Sequence, residues 1–227
     1  PTPSSAASDV YKRQPLDLSQ EAIDRIVPKV GESLFIAWAG TVIGAFFSFP
    51  VAFLAANNFS LNTFSRVTKQ ILNVIRAFPE LILAFVLLPI TGLGPLTGTL
   101  AVGIHSIGTL GKLSSEVIEG IDEGPLESIK SSGGSKLNEL FFGVIPQVMP
   151  TITSYWLYRF EINLRASAVL GVVGAGGVGA ELINQLRFRD FPRAGTVLVV
   201  TIVMVLIVDA ISAAIRRRII KGRDIKV

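Results

Sequence analysis

The sequence predicts an all-α integral membrane protein of about five transmembrane helices. Half of the 227 residues are hydrophobic and only 17% are charged, against roughly a quarter in soluble domains. The mean hydropathy is +0.56. The apolar residues gather into long runs, each near the ~20 residues a helix needs to cross a hydrocarbon core. Basic residues cluster at the ends and connections of these runs, where Lys and Arg set orientation.

Residues 1–14 are small, polar and unpatterned, and read as a non-native or disordered leader. With no initiator Met, the chain reads as a fragment whose true N-terminus is missing. Residues 15–30 read as a short amphipathic helix on the membrane surface. Ile23, Ile26, Val27 and Val30 follow helical spacing, and Asp17 with Gln20 forms a candidate capping box. Residues 31–227 form the membrane domain. Its first span, Ser33–Ala56, has no formal charge. The second, Ile71–Leu93, is broken only by Arg76 and Glu80, with Pro79 expected to kink it. The third, Leu96–Leu110, is weakly polar. The fourth, Val144–Val173, carries Arg159, Glu161 and Arg165, and the fifth, Ala194–Ile215, carries only Asp209.

The basic tail from Arg216 onward should be cytoplasmic. The link between the first two spans, with Arg66 and Lys69, then falls inside as well, and the uncharged link Thr91–Pro95 outside. Arg187, Arg189 and Arg193 fall on the outer side. They are either anchors snorkelling to headgroups or a surface for an anionic partner.

Composition excludes several functions. With no Cys, disulfides, thiolate metal sites and Cys nucleophiles are absent, and one His makes a His-based metal site improbable. No metal cluster, nucleophile–base set or paired catalytic carboxylates assemble from these residues, so no catalytic site and no enzyme is expected. No P-loop occurs, so nucleotide chemistry must come from another chain. A net charge of +4 here reflects orientation and gives no reason to expect nucleic acid.

The connection Ser114–Phe142 is long and polar where the others are tight, which marks a partner site. Within the coupling segment at about 124–146 stand Glu127-Ser128-Ile129-Lys130-Ser131-Ser132-Gly133, then nine residues to Gly143-Val144-Ile145-Pro146. A helix over Pro125–Ser132 is expected to break at Gly133–Gly134 and restart at Ser135, giving a two-helix knob. This spacing resembles the cytoplasmic loop of ABC importer permeases: E-A-A, three residues, G, nine residues, I-x-L-P. Glu127, Gly133 and Pro146 match in identity and Ile145 replaces Leu. Ser128 and Ile129 replace the two alanines, and Gly143 replaces Ile. The run Ser154–Gly179, SYWLYRFEINLRASAVLGVVGAGGVG, resembles the phosphonate branch of that family, as does His105–Leu113. Its glycine-rich ending is also similar to methionine-type permeases. The likeness covers about Pro15–Ile220. In that family a further N-terminal span usually precedes this point.

The resemblance implies a type I importer (MetI-like) permease fold and a homodimer with one central path. It implies two ATPase subunits docked on the coupling segment, carrying the ATP and Mg that this chain does not bind. It also implies a periplasmic or lipid-anchored binding protein for phosphonate, and a bacterial inner membrane with its lipid. Phosphite, hypophosphite or methionine remain alternative cargoes. An ATP-independent carrier or a membrane scaffold is the alternative of another class, but no internal repeat supports a carrier.

Arginine at bilayer depth is costly and faces a protein interior or a wet cavity. Glu161 and Arg165 lie four residues apart and are expected to pair. Arg159, four residues from Asn163, is then the spare cation, and its fork suits the oxygens of a phosphonate. A network that only fixes packing stands beside that reading. Arg76 and Glu80 form a second candidate pair, and His105 is a candidate gate or substrate contact. Gly171, Gly174, Gly176, Gly177 and Gly179 permit a sharp turn at the outer mouth.

Overall fold

The computed structural model describes residues 16–224, with side chains through Ile219. The leader 1–14 lies outside the described residues. Among them no strand occurs.

Helix α1 runs unbroken from Gln20 to Ala55, so the amphipathic segment continues without a break into the first span. Gly31 costs helix stability but does not stop it. The helix starts on Ser19, whose Oγ accepts from the Ala22 N–H at 3.3 Å. The expected Asp17–Gln20 box is replaced because Asp17 is engaged elsewhere. Its Oδ2 accepts from Arg193 Nε at 2.9 Å, and its N–H reaches Thr196 Oγ1 at 2.9 Å.

Helices α2 (Asn62–Ala77) and α3 (Glu80–Thr91) are separated at Pro79. Phe78 is extended, with φ −82° and ψ 121°, as a residue before proline prefers. The expected kink is therefore a break. Arg76 and Glu80 lie on different helices, so the i,i+4 geometry of one continuous helix is lost. Helix α4 (Pro95–Glu119) opens with proline at its first position. Helix α5 (Gly124–Ser131) leads through one turn, Lys136–Asn138, and a wide π turn, Glu139–Val144, into α6 (Ile145–Leu170). Helix α7 (Gly177–Arg187) and the long α8 (Phe191–Asp224) complete the chain.

Among the described residues three stretches are long and apolar enough to cross a membrane: Gln20–Ala55, Lys136–Arg187 and Phe191–Ile219. The helices either side of Pro79 make a fourth if counted as one broken span. The expected fifth, at Leu96–Leu110, is helical within the 25 residues of α4, but its Gly, Ser, Thr and His residues keep it short of that criterion.

The chain divides into two compact units. The first holds the described residues to Gly40, Glu80–Val102 and Glu161–Ala210. Its core joins Ala84, Ala101, Val102, Leu170 and Ala175. The second holds Thr41–Pro79, Gly103–Phe160 and the chain from Ile211. Its core joins Ala52, Ala56, Ile118, Leu126, Val144, Val148 and Ile152, with Trp156 and Phe49 packed edge to face against it.

Candidate functional site

The coupling segment is built by its glycines. Helix α5 ends in a Schellman arrangement. The Gly133 N–H donates to the Lys130 carbonyl at 3.0 Å, and the Gly134 N–H to the Ile129 carbonyl at 2.9 Å. Gly133 has φ 78°, a conformation side chains with a Cβ resist. Ser135 then caps the next turn, accepting from the Asn138 N–H at 3.4 Å. The break stands at the glycine pair where the sequence suggests it.

This knob is tied to the second unit from beneath. Leu126 is buried. Together with Ile129 it rests on Gly143, where a Cβ would come within 3.1 Å of Leu126 Cδ1. Glycine at the position where the family pattern has isoleucine thus makes room for two apolar anchors. Gln147 closes the base of the loop. Its Oε1 accepts from the Asp122 N–H at 3.0 Å, and its Nε2 donates to the Asp122 and Gly143 carbonyls at 3.1 and 2.8 Å. Glu127 and Ser128 face outward, as do Leu137, Phe141 and Phe142, the last 73% exposed. Ile145 is half-buried and Pro146 exposed in the first turn of α6.

Arg159 on α6 is buried, at 5% exposure. Its Nε donates to Ser106 Oγ at 3.0 Å, and its Nη2 meets His105 Nδ1. A guanidinium has no acceptor, so the ring nitrogen that faces it is the acceptor. The structure thus brings His105 and Arg159 together in the second unit. Glu161 and Asn163 are also buried.

The expected Glu161–Arg165 pair does not form. Arg165 turns instead to Asp209 of α8, where its Nη2 donates to Oδ1 at 3.0 Å and to Oδ2 at 2.8 Å. The physical reason is burial. Glu161 points into protein, whereas Arg165 lies on an exposed stripe with Val169, out of its reach and within that of Asp209.

In the first unit the glycine turn is tight. Gly174, Gly176 and Gly177 have φ 78°, 83° and 71°. A Cβ on Gly171 would lie 2.2 Å from the Ala180 nitrogen. The turn is held by Ser33, whose Oγ accepts from the Val178 N–H at 3.0 Å. Arg193 is not a simple headgroup anchor, because its Nε also lies 3.4 Å from Asp190 besides Asp17.

A further cluster joins the α1–α2 connection to the end of α4. Glu119 accepts from Lys69 Nζ at 2.6 Å and from the Asn57 N–H at 2.7 Å. Burial pushes its carboxyl up, but those two donors and Lys112 outweigh burial and hold it below the ordinary value of 4.5.

Sequence reasoning missed Gln147, Ser106 and the Glu119 cluster, and left Asp209 without a role. A signal for Asp209 was present: a lone acid in an apolar span needs a basic partner, and Arg165 was within reach of pairing.

Among the described residues, helices without strands, several stretches able to cross a membrane and buried charge within them define a helical membrane protein. Residues 48–221 match the family described as "Binding-protein-dependent transport system inner membrane component", and the chain belongs to that family. It is thus an inner-membrane permease subunit of an ABC importer, which works with an ATPase and a substrate-binding protein. The chain is 40% identical over 187 residues to the phosphite transport system permease protein PtxC of Stutzerimonas stutzeri, covering 82% of this chain and 68% of that protein. It is 46% identical over 121 residues to the putative cryptic phosphonate transport system permease protein PhnE2 of Escherichia coli (strain K12), covering 53% of this chain and 99% of that protein. Its fold is similar to that of a chain of the MetNI methionine ABC transporter in an inward facing conformation. The TM-score is 0.76 with 19% identity, over 89% of this chain and 99% of that chain.

Proposed function

We propose that this permease moves a phosphonate, or a related phosphorus oxyanion such as phosphite, across the inner membrane by alternating access. Two copies form the path, with the C-terminus cytoplasmic. Two ATPase subunits bind the segment Glu127–Pro146 and supply ATP and Mg, while a binding protein delivers cargo at the outer face. The chain itself performs no catalysis. The relatives' cargoes, phosphite for one and phosphonate for the other, support the oxyanion. Arg159, held by Ser106 and His105, supports a cationic contact on the path.

The observation that carries the coupling role is the knob itself. It is anchored by Leu126 below and exposes Glu127, Phe141 and Phe142 above. An ATPase cleft can grip such a knob, and rigid anchoring passes its movement to α6. The test is co-purification with the cognate ATPase, then ATPase activity in proteoliposomes with binding protein and methylphosphonate. Wild type should be stimulated. Gly133→Val, a β-branched residue at φ 78°, and Glu127→Ala should lose stimulation while the permease still inserts. Stimulation that survives both substitutions refutes the coupling role. Stimulation by methionine but not by methylphosphonate refutes the cargo.

A further inference from the structure

We infer that the Arg165–Asp209 pair is an exchangeable oxyanion site, in which the Asp209 carboxylate occupies the guanidinium until a phosphorus oxyanion displaces it. The inference rests on the oxyanion-import reading above.

The geometry of the pair points there. A structural Arg–carboxylate pair is commonly fork to fork, with two nitrogens meeting two oxygens. Here one nitrogen, Nη2, serves both carboxylate oxygens, at 3.0 and 2.8 Å. Among the described residues, Nε and Nη1 of Arg165 make no hydrogen bond. The guanidinium is neutralised, yet part of its donor fork remains uncommitted. The site is also open. The side chains of Arg165 and Asp209 are 49% and 35% exposed, although Asp209 is the lone charge of the apolar run Ala194–Ile215. Arg159 contrasts with this, being buried and held by neighbouring polar side chains.

An open arginine of this kind is suited to a tetrahedral oxyanion, whose oxygens can take Nε and an Nη together. Such an anion would replace a two-oxygen contact to one nitrogen with a forked one. Asp209 then acts as a competitor. It removes the cost of an unpaired cation at membrane depth and lowers the affinity of the site enough for cargo to leave. A phospholipid headgroup offers the same oxyanion chemistry, so the experiment separates cargo from lipid.

The test uses the purified permease–ATPase complex for binding of radiolabelled methylphosphonate, and the complete importer in proteoliposomes for uptake. Asp209→Asn keeps the size of the side chain and removes its charge. It should tighten methylphosphonate binding about tenfold, the worth of one charge-assisted hydrogen bond, and slow uptake. Arg165→Ala should abolish that gain in the Asp209→Asn background. The exchanged pair, Arg165→Asp with Asp209→Arg, should keep wild-type thermal stability and lose uptake. If the exchanged pair transports like wild type, or Asp209→Asn binds no more tightly, the pair only fixes helices and the inference is overturned while oxyanion import stands. If Asp209→Asn instead retains more phospholipid by mass spectrometry with unchanged methylphosphonate binding, the occupant is lipid and the inference fails. A wild-type importer that takes up no phosphorus oxyanion overturns the import reading and this inference together.

Discussion

Two glycine-to-alanine substitutions add the same methyl group and should move stability in opposite directions. Gly179 lies in α7, and a Cβ there would come 1.8 Å from the Ala168 carbonyl oxygen and 3.0 Å from the Gly171 Cα. Both atoms are backbone, so neither can swing aside as a side chain would. Overpacking a tight contact costs about 1–3 kcal/mol, and more where backbone must shift. We therefore expect about 3 kcal/mol or more for Gly179→Ala. At roughly 2–4 °C per kcal/mol for a chain of this size, Tm falls by about 6–12 °C. Gly31 is the control: it lies exposed inside α1 and has no heavy atom within 4 Å of its would-be Cβ. Alanine there relieves the entropic cost of glycine in a helix, about 0.5–1 kcal/mol, and raises Tm by a few degrees. The assay is thermal unfolding of the purified permease in one detergent, read as the folded fraction by size-exclusion chromatography after heating. If Gly179→Ala lies within about 1 °C of wild type, the close approach of α7 to the end of α6 is wrong. If both variants shift equally and in the same direction, the reasoning from local space fails.

The other predictions concern the polar contacts. Glu119→Gln keeps an acceptor for the Asn57 N–H but loses the Lys69 charge, and should cost about 1 kcal/mol in the same assay. Because the folded Glu119 carboxyl titrates below its ordinary 4.5, its contribution is fully present above that pH and is lost as pH falls through the lower folded value. The stability difference between wild type and Glu119→Gln should therefore hold from pH 7 to about 5 and close in stronger acid; a difference that closes nearer pH 7 contradicts the assignment. Ser33→Ala leaves the buried Val178 N–H without its acceptor and should cost about 1–3 kcal/mol, whereas Ser33→Thr should cost less. Arg159→Lys keeps charge but cannot hold Ser106 and His105 in one fork; uptake should fall at least about tenfold with the protein still folded, and unchanged uptake removes Arg159 from the path.

The legible part of this fold is the part fixed by the local chain. Apolar runs mark where helices lie, and a glycine pair between two polar turns marks the break of the knob. The α5 terminus shows why. A Schellman end needs only Gly133 at positive φ and two backbone bonds, all within six residues. Pairing across helices is a different problem. The spacing of Glu161 and Arg165 made them neighbours on a helix surface, but which of two candidate acids an arginine meets depends on how α6 and α8 are turned toward each other. Asp209 was visible as the lone charge of its span, yet 44 residues separate it from Arg165. Likewise the i,i+4 spacing of Arg76 and Glu80 assumed one continuous helix, which Pro79 interrupts.

The weakest predicted span teaches the most about reading such chains. Among the three stretches that qualify by length and composition, the most apolar, at the end of the chain, has 11% of its apolar window buried, against 33% and 39% for the other two. Among these three stretches the highest hydropathy therefore goes with the least burial within the chain. Helix α4 sits at the other extreme. Its Gly98, Gly108 and Gly111 receive Ala175, the Leu72–Arg76 backbone and the Leu72 side chain respectively, and Thr97, Ser106, Ser114 and Ser115 are buried. Small and weakly polar residues allow close helix approach where lipid does not reach. A helix so enclosed needs no greasy surface, and its sequence carries little hydropathy signal. That same helix supplies His105 and Ser106 to Arg159. In this chain a low-hydropathy helix is therefore the place to look for buried polar contacts.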